Sequence, residues 1–192
     1  MTEYKLNATK REGSGKNRVD KLRAAGQIPA VIYQKGEENA LIQVKDLEFA
    51  HVYNNAGSSS LVDVAVDGET KTVLIKEVQR HPYRNEVLHI DFQGVRMDEV
   101  VRLMVPVVLL HRDEIRVQPS ILLQMIDEIE IECLPGDIPA QAEVDVENMQ
   151  IGDVLTVADL DVAKNDKVQV LIDENEPVAS LSEPQEESIE EE

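Results

Sequence analysis

"SLVDVAVDGETKTVLIKEV", residues 60–78, decides the fold. Val62, Val64 and Val66 alternate with other residues, Asp67-Gly68 is a turn pair suited to positive φ, and a second β-branched run begins at Val73. The stretch predicts a β-hairpin. Its flanks read the same way. Tyr4, Leu6 and Ala8 alternate in "YKLNA", "AVIY" follows Pro29, "ALIQV" spans 40–44, and "EVLHIDF" spans 86–92. "DLEFAHVYNNAG" (46–57) predicts a helix that Asp46 caps and Gly57 ends, and a second helix is expected at about Arg18 to Ala25, ended by Gly26. Roughly six strands and two short helices favour a closed or nearly closed barrel, which leaves no strand edge open.

Beyond position 96 the β pattern continues without aromatics. "EVVRLMVPVVLLH" (99–111), "EIEIECLP" (128–135), "AEVDVEN" (142–148), "DVLTV" (153–157) and "KVQVLID" (167–173) are short, rich in Val and Ile, and separated by turn residues. An aligned sandwich suits them. "SILLQMIDEI" (120–129) fits helix or strand, and "EPQEESIEEE" (183–192), with six glutamates, is expected to be a disordered tail.

The charge divides at the same place. Residues 1–96 carry 14 Lys and Arg against 13 Asp and Glu, a balance of +1, whereas residues 97–192 carry 5 against 25, a balance of -20. Such asymmetry marks separate jobs. The expected organisation of this mainly β chain is a barrel domain over 1–94, an acidic sandwich-like domain over 95–182 and a tail over 183–192. The single cysteine fits a reducing cytoplasm. The N-terminus has no apolar leader core, and "VPVVLL" (105–110) is too short to span a bilayer.

Within the balanced half, Lys10, Arg11, Lys16, Arg18, Lys21 and Arg23 crowd one loop and helix. "GSGKN" (13–17) lacks both the earlier glycine and the following Ser or Thr of a nucleotide-binding P-loop, so that reading fails. What remains is a flexible loop entering a helix, with Asn17 as N-cap and Asp20 reaching back to it. Val19 and Leu22 then face the core, and Arg18 and Lys21 share another face. Lys10, Arg11 and Lys16 stand beside them, and a basic cluster at a helix N-terminus is what contacts to a phosphate backbone require. Further on, strand alternation puts Leu88, Ile90 and Phe92 inside and His89 and Asp91 together outside, after a loop carrying Gln79, Arg80, His81, Pro82, Tyr83 and Arg84. An outward imidazole and carboxylate either read hydrogen-bonding edges or pair with each other.

"LRAAGQIPAVIY" (22–33) and "VQRHPYRNEVLHIDF" (78–92), in this order and spacing, closely resemble the family of bacterial large-subunit ribosomal proteins, number twenty-five of that subunit, that bind 5S ribosomal RNA. "VPV" (105–107), "IEIECLPGDIPAQAEVDVENMQIGDVLTVADL" (129–160) and the acidic tail resemble the extra domain of its long form, the general stress protein CTC type. The resemblance implies a six-stranded barrel that meets 5S RNA from the minor-groove side, followed by a β-rich domain. By matching motif it implies contacts from Lys10, Arg11, Lys16, Asn17, Arg18, Lys21 and Arg23 and from Arg80, His89 and Asp91, with cations on phosphates and the His–Asp pair sensing bases or hydroxyls. Gln34 departs from the family's usual glycine after "VIY", and Gln118, Pro119 and Ser120 replace a glycine pair.

The expected partners are therefore 5S RNA, the large subunit, and basic ribosomal proteins next to the acidic half, with no membrane. The protein is expected to be cytoplasmic and ribosome-associated. Asp153, Asp159, Asp161 and Asp166 lack the spacing of a calcium loop, Cys133 sits in an alternating strand, and His51 and His111 have no evident partner. No catalytic triad stands out. A non-enzyme without cofactor or metal is expected, and the alternative is an acidic stress-related adaptor for basic proteins.

Overall fold

The hairpin forms as the sequence reads. In the computed structural model, which describes residues 4–11, 13, 15–84, 86–115, 117 and 119–183, strand β4 (Leu61–Val66) turns into β5 (Glu69–Arg80) through Asp67 at φ 49 and Gly68 at φ 96. Two consecutive positive φ values give the turn whose twist matches the strands it joins. Around it lie β1 (Tyr4–Lys10), α1 (Lys16–Ala24), β2 (Gln27–Tyr33), β3 (Ala40–Lys45), α2 (Asp46–Ala56) and β6 (Val87–Gly94). The six strands close into a barrel in the order β1-β3-β2-β6-β5-β4. β1 runs parallel to β4 and β2 parallel to β6; the other pairs are antiparallel.

Alternation fills the barrel. Leu6, Ile28, Ile32, Ile42, Val44, Val62, Val64, Val73, Ile90 and Phe92 are buried inside, and Phe49, Val52 and Ala56 of α2 pack against them. Burying each such side chain is worth about 1.5–3 kcal/mol. The cap of α2 differs from expectation. Lys45 occupies the N-cap with no side-chain capping bond, its Nζ donating instead to Glu48 at 2.8 Å, and Asp46 is the first helical residue, where a carboxylate complements the helix dipole.

The chain forms two compact units, Met1–Leu103 with Leu134–Ala140, and Met104–Cys133 with Gln141–Glu192. After β7 (Val101–Leu110) come β8 (Ile121–Gln124), β9 (Glu128–Cys133), β10 (Ala142–Asp145), β11 (Val154–Thr156), β12 (Val168–Val170) and β13 (Pro177–Ser182). They build a four-stranded sheet, β10-β7-β9-β12, and a three-stranded sheet, β11-β13-β8. The ambiguous "SILLQMIDEI" contributes strand, since β8 pairs with β13 from Ile121 to Gln124. β13 itself went unanticipated, because Ala179, Ser180 and Ser182 dilute its β signal. Residues 184–192, most of the expected tail, lie outside the described residues.

The acidic turns of the second unit are structural. The Asp159 carboxylate accepts from the Thr156 N–H and hydroxyl, Asp161 from the N–H groups of Glu143 and Val162, and Asp153 from that of Gln150. Each satisfies turn donors that secondary structure leaves open. Cys133 is buried in β9. His111 does have a partner, contrary to the sequence reading: its Nδ1 lies 3.0 Å from Asp145 Oδ1. The two close up because β7 and β10 pair in parallel and end together at Leu110 and Asp145.

Candidate nucleic-acid interface

The Arg18 guanidinium lies against Gly13 of the preceding loop. Gly13 has φ +93, and a Cβ there would sit 2.0 Å from Arg18 Nη1, so only glycine lets the guanidinium lie against the loop. Helix α1 starts at Lys16 with Gly15 as N-cap and no side-chain cap bond. The expected Asn17 cap is thereby corrected. With Gly15 at φ 122 the chain enters the helix early, Asn17 falls in the first turn, and Asp20 pairs with Arg23 at 3.4 Å. The Arg18 and Val19 N–H groups donate to the Gly15 carbonyl at 3.2 Å each, and among the described residues no side chain caps the first turn, whose remaining donors favour an anion. Val19 and Leu22 form the less exposed side of α1 but are only half-buried, so the helix rests on the wall rather than inserting into the core.

Lys10, Arg11, Gly13, Arg18, Lys21, Leu22 and Gln43 line one recess of about 390 Å³. Arg11 donates its backbone N–H to the Leu41 carbonyl, while its Nε is buried with no hydrogen-bond partner among the described residues. Lys10, Lys16 and Lys21 have no ion-pair partner among the described residues. The recess therefore gathers four cations, of which Lys10 and Lys21 have no ion-pair partner among the described residues.

Strand register carries this surface round the barrel. Thr9 faces Gln43 and Gln43 faces Pro29; Ala30 faces Ile90, which sets Pro29 beside His89, and His89 faces Gln79. All five lie on the outer side by parity, opposite the buried Ala8, Ile28, Val44 and Ile90, although Pro29 is itself buried. Helix α1 packs on β2 within this row. Arg23, at its far end, donates Nε and Nη2 to the Leu88 carbonyl of β6 at 3.1 and 2.8 Å. Its main visible job is to bind α1 to β6.

His89 and Asp91 do pair, Nδ1 to Oδ1 at 2.6 Å, with side chains 26% and 29% exposed. An ionised carboxylate only accepts, so on a neutral ring Nδ1 carries the proton and Nε2 is left as an acceptor. Tyr33, the next outward residue of β2 after Val31, has its phenol pKa raised by burial first and then by Asp91 and Glu77. It stays a protonated donor. Sequence reasoning passed over Tyr33 and Gln43, although the β alternation of "AVIY" and "ALIQV" already pointed both outward.

Arg80 stands somewhat apart, its guanidinium 5.4 Å from the centroid of the Tyr53 ring on α2. The loop after it is fastened by the His81 ring, whose Nδ1 accepts from the N–H groups of Tyr83 and Arg84 at 3.2 Å each. Tyr83 projects from this turn 94% exposed. Asn85 lies outside the described residues. Arg23, Gly26, Gln27, Glu86 and Val87 line a small cleft that joins the end of α1 to this loop. Gln34, the departure after β2, lays its side chain on Gly94, where a Cβ would come within 2.8 Å of Oε1. Of the second departure, Gln118 lies outside the described residues, and Ser120 bonds the Val117 carbonyl at 2.7 Å.

Comparison with known proteins agrees with this layout. Residues 6–92 match the model of the ribosomal L25p family, and residues 100–185 match that of the ribosomal protein TL5 C-terminal domain. The large ribosomal subunit protein bL25 of Finegoldia magna is 53% identical over 191 residues, 100% of this chain and 90% of that one. Those of Syntrophomonas wolfei and Bacillus pumilus are 35% and 34% identical, covering 96% of this chain and 88% of theirs. With a six-stranded barrel under the first match, a two-sheet acidic unit under the second and near-complete coverage by full-length relatives, the chain belongs to the ribosomal L25p family.

Proposed function

We propose that this chain is a structural protein of the large ribosomal subunit, working in the cytoplasm, and that it binds 5S ribosomal RNA through the outer wall of its barrel without cofactor, metal or catalysis. The observation that carries the reading is the recess of Lys10, Arg11, Arg18 and Lys21, set on the same wall as the outward His89–Asp91 pair. A-form RNA presents a wide shallow minor groove lined with 2′-hydroxyls, which a convex wall can meet and a side chain in a narrow groove cannot. Lys10, Arg11, Lys16, Arg18 and Lys21 hold phosphates in this reading, and Asn17 adds a polar contact at the helix start. His89 Nε2 accepts from a hydroxyl or base edge while Asp91 fixes the ring. Arg23 acts by holding α1 in place, Arg80 by flanking the loop, and the exposed Tyr83 ring offers a stacking surface for an unpaired base.

Fluorescence anisotropy with labelled 5S RNA, competed by duplex DNA of equal length, tests this. RNA should bind far more tightly, because DNA lacks both the groove shape and the 2′-hydroxyls. Equal displacement by the DNA would reduce the wall to a general polyanion surface and contradict the reading.

A further inference from the structure

The second unit carries an exposed apolar face. On the three-stranded sheet, Ile121, Leu123 and Met125 follow every second residue along β8 and its exit, 50%, 54% and 50% exposed, and Val154 of β11 is 52% exposed. They share one face. β8 faces β13 with Leu123 opposite Ser180 and Ile121 opposite Ser182, while β11 faces β13 with Val154 opposite Ser180. Leu123, Ser180 and Val154 therefore form one row across the sheet, with Ile121 and Met125 on either side of it. The serines between them are small, so the large side chains stand proud on both flanks of a shallow trough. Contiguous exposed apolar surface on a soluble unit marks a contact surface.

Charge selects the occupant. Exposed Asp127, Glu128, Asp153, Glu176 and Glu183 border this sheet in sequence, and among the described residues Arg102, Arg112, Lys164 and Lys167 all lie outside β8, β11 and β13. RNA would bring phosphates against that rim. A second copy would bring another acidic surface. Both are opposed by like charge, whereas a segment with alternating apolar and basic residues satisfies trough and rim together. We propose that this face docks a basic segment of a neighbouring protein in the ribosomal particle, with apolar side chains in the trough and Lys or Arg on the rim. The proposal rests on the ribosomal reading above and goes beyond it by naming a surface on the acidic unit.

The test places a photo-crosslinking amino acid at Leu123 of the full chain, assembles the particle and identifies what is joined to it; the same probe at the exposed Asn175 is the control. Co-sedimentation of the chain with the large subunit, measured on the same sample, separates failure of the ribosomal reading from failure of this one. The expected result is a crosslink to a basic segment of another protein, absent from position 175 and lost in the Met125→Asp/Val154→Asp variant while co-sedimentation persists. Both changed positions are exposed, so folding is retained. A crosslink to RNA, a crosslink to a second copy, or none from a chain that does co-sediment would each overturn the proposal.

Discussion

At the residue scale, cations that look alike in sequence divide by what they touch. Arg23 spends its guanidinium on the Leu88 carbonyl and Asp20, while Lys21, two positions earlier, has no ion-pair partner among the described residues. Arg23→Ala should therefore destabilise the protein by about 1 kcal/mol, the typical worth of a part-exposed hydrogen bond. Lys21→Ala should change stability by less than about 0.5 kcal/mol and weaken only RNA binding; thermal melts beside binding isotherms check the split. In the second unit, Asp145 raises the His111 pKa, and Asp145 is itself lowered by the Glu147 N–H and then by His111. The raised histidine adds stability below its ordinary value near 6.5 and loses it as pH rises through the folded value. The lowered carboxylate adds stability above its ordinary value near 4 and loses it as pH falls through its own. The pair is thus strongest between about pH 4 and 6.5, and the exposed site makes it sensitive to salt. An NMR titration should find the His111 midpoint above the ordinary histidine value, returning toward it in Asp145→Asn.

At the element scale, the strands were legible because their patterns are strict. Val62, Val64 and Val66 before Asp67-Gly68 leave little alternative to a hairpin, and Leu88, Ile90 and Phe92 mark their inner face without help from the rest of the chain. Helix starts were less legible. Asn17 and Asp46 are good caps by type, yet Gly15 and Lys45 take those places, because the preceding loop and strand fix where the backbone enters the helix. The His89–Asp91 pair was foreseen, but not Tyr33 beside it or the role of Arg23, since both depend on β2 and β6 becoming neighbours across some sixty residues. Two substitutions measure the elements directly. Phe92→Ala, at 0% exposure, should cost about 3–5 kcal/mol. Gly68→Ala should cost about 1 kcal/mol, because φ 96 disfavours any side chain. Denaturant midpoints report both.

At the scale of the whole molecule, formal charge misleads until it is divided. A net charge of -19 argues against nucleic acid, yet the half that holds the barrel is balanced and gathers Lys10, Arg11, Arg18 and Lys21 round one recess, while the deficit belongs to residues 97–192. On the same division, the two surfaces are proposed to take opposite kinds of partner: RNA for the cationic recess, a basic protein for the trough on the acidic unit. The first assignment is central, and ionic strength tests it most directly. Affinity for 5S RNA measured across a salt series should fall linearly on logarithmic axes, and Arg18→Ala/Lys21→Ala should bind more weakly with a slope reduced by about two, one per lost phosphate contact. A double variant with the affinity and salt slope of the unaltered chain would contradict the account.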